Sequence, residues 1–304
     1  MGAALTPADP EINAKGYWEH SAVNDINERI LRALGYSWLD ERELPTGWPR
    51  SETIASLKTE LVEALKREFG SHRLWAVKDP RLCRLLPLWL EVLEEIGCTP
   101  VFVVMTRDPI EVAESLWKRN GIQEWKAALL WLRYAIDAEV GSRGWPRVCV
   151  EYDDLLSEWR TLLPLIAREL LLDWPTPFAN TEPTLSEFLD SSLRHAVGTF
   201  GVVTSSVEMS LAERAYKALR VSIDLFSEMQ SDLIIQLDQA VSRHQPALAH
   251  VNQCLLTIEK LSVLKIVVAA HEREIARIKS TVSWRLTKPI RFLANLSKKS
   301  LEGR

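Results

Sequence analysis

Two cations, Lys78 and Arg107, stand at matching places in the chain. Each ends a short apolar run, after one intervening polar residue at most, and each is followed at once by an Asp-Pro pair and a helical pattern. A cation beside the N-terminus of a helix is suited to binding an anion, phosphate above all. Two capped helices with ordinary surface cations are the competing interpretation, and the repetition of the whole unit favours a phosphate site.

The elements that position these cations are predicted from the same residues. The runs 74–77 and 101–106 are short and rich in Val, which is typical of buried strands. Asp is a strong N-cap and Pro is favoured at the first helical position, so each unit predicts strand, turn and helix. A third strand is predicted at 147–152. Parallel strands share one carboxyl edge, where open sheets bind ligands, and we expect Lys78 and Arg107 to lie there side by side.

The second unit resembles a known motif. Arg107 and Ser115, in the string Arg-Asp-Pro-x5-Ser, resemble the 3′-phosphate motif of sulfotransferases that use 3′-phosphoadenosine 5′-phosphosulfate (PAPS). In that family the Arg and the Ser hold the 3′-phosphate, which suits a guanidinium fork and a hydroxyl donor. Tyr152 begins a Tyr-Asp-Asp-Leu segment that resembles the family's later strand end. The resemblance implies that this ring approaches adenine, and a buried Tyr with a satisfied hydroxyl is the alternative.

The resemblance also implies catalytic residues. Lys78 takes the place of a family lysine that lies near the transferring sulfuryl group, whereas Asp79 and Pro80 leave no histidine base in this motif. The segment 14–20 is similar to bacterial members in which a nearby carboxylate acts as the base, and Glu19 is the candidate. A solvated acid favoured by the helix dipole is an equally weighted interpretation of Glu19. The resemblance implies PAPS as co-substrate, a hydroxyl acceptor and no metal.

One departure from the family concerns the 5′ half of the cofactor. The family's N-terminal strand and its Gly/Ser/Thr-rich loop, which surrounds the 5′-phosphosulfate with backbone N–H groups, have no counterpart, and no G-x-x-x-x-G-K-[ST] string is present. A truncated or mis-assigned start, a degenerate non-catalytic descendant and a partner chain that supplies the loop are three explanations. We favour truncation, which leaves activity of the chain as written in question.

The fold class that follows is α/β, with a P-loop-NTPase-like parallel sheet flanked by helices over residues 1–200, lacking the first strand and loop. After Gly198 the pattern becomes helical, and an extension over 205–282 is predicted as two long helices divided at Pro246.

A row of residues in the second long helix fits a coiled-coil seam. At alternating spacings of four and three, the row comprises Leu264, Val268, His271, Ile275, Ile278 and Val282. Self-association through this seam and a helical hairpin that folds back at Pro246 are both expected arrangements. The basic tail 283–304 resembles linker helices of bacterial surface-polysaccharide proteins, and this resemblance carries the expectation of a carbohydrate acceptor. A weak membrane-surface contact by this tail and a solvated basic end are the two alternatives for it.

Composition bounds the remaining function classes. The 304 residues carry a formal net charge of −4, which argues against a general nucleic-acid partner. The four cysteines have no metal spacing and are expected to be reduced, as in a cytoplasmic protein, and no signal peptide or spanning segment is evident. The predicted function is sulfuryl transfer from PAPS to a hydroxyl. A kinase-like phosphate-binding protein and a non-catalytic coiled-coil interaction protein are the alternatives.

Overall fold

The computed structural model describes Leu5, residues 18–189 and residues 206–280, and the predicted basic tail at 283–304 lies outside them. The helices are α1 (Ser21–Ala33), α2 (Glu52–Phe69), α3 (Leu82–Glu95), α4 (Pro109–Asn120), α5 (Glu124–Ser142), α6 (Tyr152–Glu169), α7 (Phe178–Phe188), α8 (Val207–Val221) and α9 (Ile223–Ser280). The strands are β1 (Phe102–Thr106) and β2 (Arg147–Glu151). The architecture is mostly helical and broadly α/β.

The two strands form a small parallel sheet. Their register runs from Phe102 opposite Arg147 to Thr106 opposite Glu151. The connection between them passes through α4 and α5, as a parallel pair requires. Two of the three predicted strands therefore exist, and they pair in the predicted orientation.

The strand predicted at 74–77 is wrong. The segment belongs to no strand, and it lies against the core of α1, α2 and α3. Trp75 stacks on Phe69 with ring centroids 4.8 Å apart, and Val77 packs against the same core. A Val-rich run becomes a strand only where a neighbouring strand accepts its backbone hydrogen bonds, and here the side chains find a helical partner instead.

One of the two Asp-Pro units caps its helix as predicted. The Asp108 carboxylate accepts a hydrogen bond from the Ile110 N–H at 2.8 Å, and Pro109 is the first residue of α4. The prediction is wrong for the other unit, because α3 begins at Leu82 with Arg81 as its N-cap and without a capping side chain. The Asp79 carboxylate instead accepts from the Arg81 N–H at 2.9 Å, in the turn before the helix.

Helix α5 is the centre of the described domain. It packs against α3, α4 and α8, and its apolar residues are buried on nearly every side: Ala127, Ala128, Leu129, Leu130, Leu132 and Ile136. A helix that is apolar around most of its circumference belongs in a core. A second apolar cluster joins β2 to α6 through Val150, Ile166 and Leu170.

The predicted break at Pro246 is wrong. Helix α9 is continuous through Pro246, and the helices separate at Ser222, which adopts an extended conformation. The Ser222 hydroxyl accepts a hydrogen bond from the Leu225 N–H at 3.0 Å and so caps the start of α9. Ion pairs of Arg214 with Asp232 (3.2 Å) and of Glu208 with Arg243 (3.4 Å) make α8 and the start of α9 an antiparallel hairpin. The turn of this hairpin is at Ser222.

The chain divides into two compact units, Met1–Leu248 and Ala249–Arg304. The reason is that α8 and the first part of α9 bury large side chains in the first unit, among them Met209, Leu211, Leu219, Phe226, Leu233 and Leu237. The second unit contains the rest of α9. No helix in the described part of the chain is long and apolar enough to cross a membrane.

Candidate functional site

The sheet register places two predicted site residues together. Because Thr106 lies opposite Glu151, the next residues, Arg107 and Tyr152, leave the carboxyl ends of adjacent parallel strands. The Arg107 guanidinium carbon lies 4.7 Å from the centre of the Tyr152 ring, in a cation–π contact. Helix α4 begins two residues after Arg107, and α6 begins at Tyr152. This edge of the sheet therefore joins a cation, an aromatic face and two helix N-termini.

The Arg107 guanidinium has unused donors. Its Nε donates to the Glu111 carboxylate at 3.0 Å, an (i, i+4) ion pair, and its side chain keeps about a quarter of its surface exposed. Its Nη1 and Nη2 groups make no hydrogen bond with any residue that the structure describes. A guanidinium held by Nε presents those two nitrogens as a fork, which matches the oxygens of a phosphate.

Ser115 lies two turns into α4, half-buried. The spacing of Arg107, Glu111 and Ser115 is four residues each time, so Glu111 lies between the other two along one face of the helix. No hydrogen bond of the Ser115 hydroxyl occurs within the described ranges. Arg107 and Ser115 therefore lie on one face, with the Glu111 carboxylate between them. The negative charge of Glu111 disfavours an anion at Ser115 unless the carboxylate stays bound to the Arg107 Nε.

Three further residues at this edge do not stand out in the sequence. Thr106 is buried at the end of β1, and its hydroxyl has no hydrogen-bond partner among the described residues. Trp131 of α5 donates its Nε1–H to the Arg107 carbonyl at 2.9 Å, which fixes the backbone there. Tyr216 of α8 donates its hydroxyl to Glu151 at 2.6 Å. Helix α8 therefore covers part of the edge, although it lies more than sixty residues later in the chain.

Glu151 is a residue of this edge that the sequence did not predict, although its position carries a recognisable pattern. It ends β2, and its carboxylate also accepts the Asp153 N–H at 3.2 Å. The junction between β2 and α6 thus repeats the acid-capped pattern of Asp108 at the junction between β1 and α4. An acid at the end of an apolar run, directly before a helix, was the available signal in both places.

The two predicted catalytic residues contact each other elsewhere. The Lys78 Nζ lies 2.6 Å from a Glu19 carboxylate oxygen, and the Asn24 side-chain amide donates to the other oxygen at 2.6 Å. Glu19 is buried, whereas the Lys78 side chain is about half exposed. The pair lies just before α1 and just before α3, so two separate segments of chain hold it.

The residue after Lys78 has a structural task. The buried Asp79 carboxylate accepts hydrogen bonds from the Asn27 amide at 2.9 Å and from the Arg81 N–H and guanidinium. The side-chain oxygen of Asn27, Oδ1, in turn accepts a hydrogen bond from the Trp89 indole N–H at 3.0 Å. These contacts join α1 to α3, so the Asp-Pro unit at Asp79 fixes a helix junction rather than a sheet edge.

The expected pairing of Lys78 with Arg107 is therefore wrong. The segment that carries Lys78 lies outside the sheet, because its side chains pack on the α1–α3 core. The structure brings together two pairs, Glu19 with Lys78 and Arg107 with Tyr152, and no direct contact between the pairs occurs among the described residues. These residues also contain no group of three or more His, Cys, Asp or Glu side chains that could hold a metal ion.

The most deeply buried charges lie in the core around α5. Lys126 pairs with Glu41, and both side chains are almost completely buried. Burial lowers the pKa of Lys126 to about 7. Arg84 lies 2.6 Å from Asp137 and donates to the backbone carbonyls of residues 40 and 42. Each of these charged groups has a partner within the packed core around α5, so we assign this group to the scaffold.

The chain matches no family model, no curated protein and no solved structure with which it was compared.

Proposed function

We propose that this protein is a sulfotransferase-like enzyme that binds PAPS and transfers its sulfuryl group to a hydroxyl, with a carbohydrate as the acceptor class. The single observation that carries the proposal is the contact of Arg107 with Tyr152 at the shared carboxyl edge of two parallel strands. The proposal also includes a relationship between this parallel sheet and the sheet of P-loop NTPases.

The edge fits the 3′-phosphoadenosine half of the cofactor. The Nη groups of Arg107, which bond to no residue in the described part of the chain, suit the 3′-phosphate. The Ser115 hydroxyl lies on the same helix face, and the Tyr152 ring offers a surface on which adenine stacks. The buried Thr106 hydroxyl, which has no partner within the described ranges, adds a donor. Two features oppose an anion here: the Glu111 carboxylate and the cover provided by α8. Binding therefore depends on Glu111 remaining paired with the Arg107 Nε.

The residues do not supply the 5′-phosphosulfate half. The sequence contains no Gly-rich phosphate loop, and Lys78, the family-like lysine, pairs with Glu19. The proposal for the chemical step is that the acceptor oxygen bonds to sulfur while the bond from sulfur to the phosphate oxygen breaks. Glu19 then accepts the acceptor's proton, and Lys78 offsets negative charge on the transferring group.

A calorimetric titration with adenosine 3′,5′-bisphosphate, with AMP as the comparison ligand, tests the proposal. We expect selective binding of the bisphosphate because Arg107 contacts the 3′-phosphate. Arg107→Ala removes a charged hydrogen bond and should weaken this binding at least tenfold, about 1.4 kcal/mol, with little effect on AMP.

Arg119→Ala is the matched control. Arg119 lies at the other end of α4, is exposed and bonds only the neighbouring Asn120 side chain among the described residues. Its loss removes the same positive charge from the same helix without touching the sheet edge. If Arg107→Ala and Arg119→Ala bind the bisphosphate as tightly as the wild type, the site assignment is wrong.

A non-catalytic interaction protein is the second candidate function. The observation that favours it is a row of exposed apolar side chains on α9, including Leu264, Val268 and Ile275. A well-folded chain that binds neither nucleotide but self-associates would support this second function over the first.

A further inference from the structure

The last part of α9 exposes apolar side chains in a regular row. Leu261, Leu264, Val268 and Ile275 keep 53%, 57%, 47% and 48% of their surface exposed. Their spacings of three, four and seven residues place them on one stripe of the helix, the a and d positions of a heptad repeat. Large apolar side chains left half exposed in such a stripe mark an interaction surface.

The residues at the heptad positions favour a coiled coil of two helices. The a positions are Leu261, Val268 and Ile275, and in the sequence the next a position is Val282, so three of the four are β-branched. Leu264 and His271 occupy successive d positions. β-Branched residues at a with Leu at d favour a parallel dimer, and a single polar core layer fixes register at some expense of stability. His271 supplies that layer.

The flanking charges favour one orientation. In a parallel, in-register pair, Glu274 at position g faces Lys279 of the second copy at position e, which is favourable, while Lys260 faces Lys265, which is not. Two copies can also pair in the antiparallel orientation with the whole row overlapping. Glu272 of one copy then faces Glu272 of the other, and Lys265 faces Lys279, so the flanking charge pairs of this arrangement are all repulsive. The parallel arrangement is therefore the better of the two.

We propose that residues 261–280 form a parallel, in-register two-stranded coiled coil with a second copy of this chain. The occupant of the exposed row is thus the same row of another molecule, and each a residue packs beside its own counterpart. This inference is independent of the nucleotide site, because none of the residues at the sheet edge takes part in it.

Sedimentation equilibrium of the full chain, at concentrations up to about 100 µM, tests the proposal. We expect a monomer–dimer equilibrium for the wild type, because burial of the row drives association. Val268→Lys places a charge in the seam and should weaken the dimer at least tenfold. Ala270→Lys introduces the same side chain at an exposed c position two residues away and should leave the dimer unchanged. Circular dichroism on both variants confirms that the helix is retained.

Orientation is tested by cross-linking. Leu261→Cys in a Cys254→Ser background places a thiol at an a position, which faces itself only in a parallel, in-register pair. We expect a covalent dimer under mild oxidation, and none from the Cys254→Ser parent. A wild type that remains monomeric at about 100 µM, equal dimerisation of Val268→Lys and wild type, or a cysteine variant that does not cross-link would each overturn the proposal.

Discussion

Replacing Lys126 by methionine perturbs the most deeply buried ion pair of the described domain. The Lys126 side chain has no exposed surface, and that of its partner Glu41 keeps only 2%. Glu41 belongs to the loop after α1, and Lys126 lies in the first turn of α5, so the pair attaches this loop to the central helix. Lys126→Met leaves the Glu41 carboxylate in the core without a counter-charge.

The expected magnitude follows from this burial. Breaking a buried pair by removing one partner costs about 3–5 kcal/mol, whereas replacing both partners by apolar side chains is close to neutral. We therefore expect Lys126→Met to lower the free energy of unfolding by about 3 kcal/mol or more, and Glu41→Leu with Lys126→Met to stay within about 1 kcal/mol of the wild type. The thermal midpoint of the single variant should fall by about 6 °C or more.

Urea unfolding at pH 6, followed by circular dichroism, measures these differences. At this pH Lys126 is protonated, since burial leaves its pKa at about 7. Lys58→Met is the control because Lys58 makes a similar 2.7 Å pair with Glu91, but both side chains are about a quarter exposed. We expect the control to cost about 1 kcal/mol or less. If the single and double variants at Lys126 are equally unstable, the reasoning from an uncompensated charge is refuted.

Two further predictions concern chemistry and packing. Glu19→Gln removes the proposed base, so transfer of labelled sulfuryl from PAPS to a panel of mono- and oligosaccharides should slow at least about a hundredfold, with bisphosphate affinity within twofold of the wild type; transfer at the wild-type rate would contradict its role. Gly141→Ala places a methyl group 2.6 Å from the Leu86 Cβ where α5 crosses α3, and it should destabilise the fold by about 1–3 kcal/mol in urea unfolding. A stabilised Gly141→Ala variant, the usual result of replacing helical Gly by Ala, would show that the two helices separate easily.

Features that depend on a few neighbouring residues can be predicted from the amino-acid sequence. Asp108 caps the start of α4 because an N-cap acts on N–H groups within three residues of it. The apolar residues of α2 recur every three or four positions, and this periodicity is a property of the sequence. The parallel pairing of β1 with β2 was also predictable, since two short apolar runs separated by helices have few other arrangements.

Tertiary structure decided what depends on a partner distant in the chain. The run at 74–77 had strand composition, but Phe69 and the α1–α3 core, rather than a strand, lie beside it. The break between α8 and α9 falls at Ser222 because an extended residue with a capping hydroxyl ends one helix and starts another, whereas Pro246 costs one backbone donor within a helix that continues.

The candidate site divides in the same way. Arg107 and Tyr152 meet because both leave adjacent strands at the same edge, and that follows from sheet register. The cover by Tyr216, the buried Thr106 hydroxyl and the buried charge of Lys126 were not predictable, since the sequence around each gives no indication of which helix will pack on it. Local patterns thus indicated the cap at Asp108 and the strand pair. Packing between distant segments decided which side chains face one another, because burial and contact are properties of the folded chain and not of any short stretch of it.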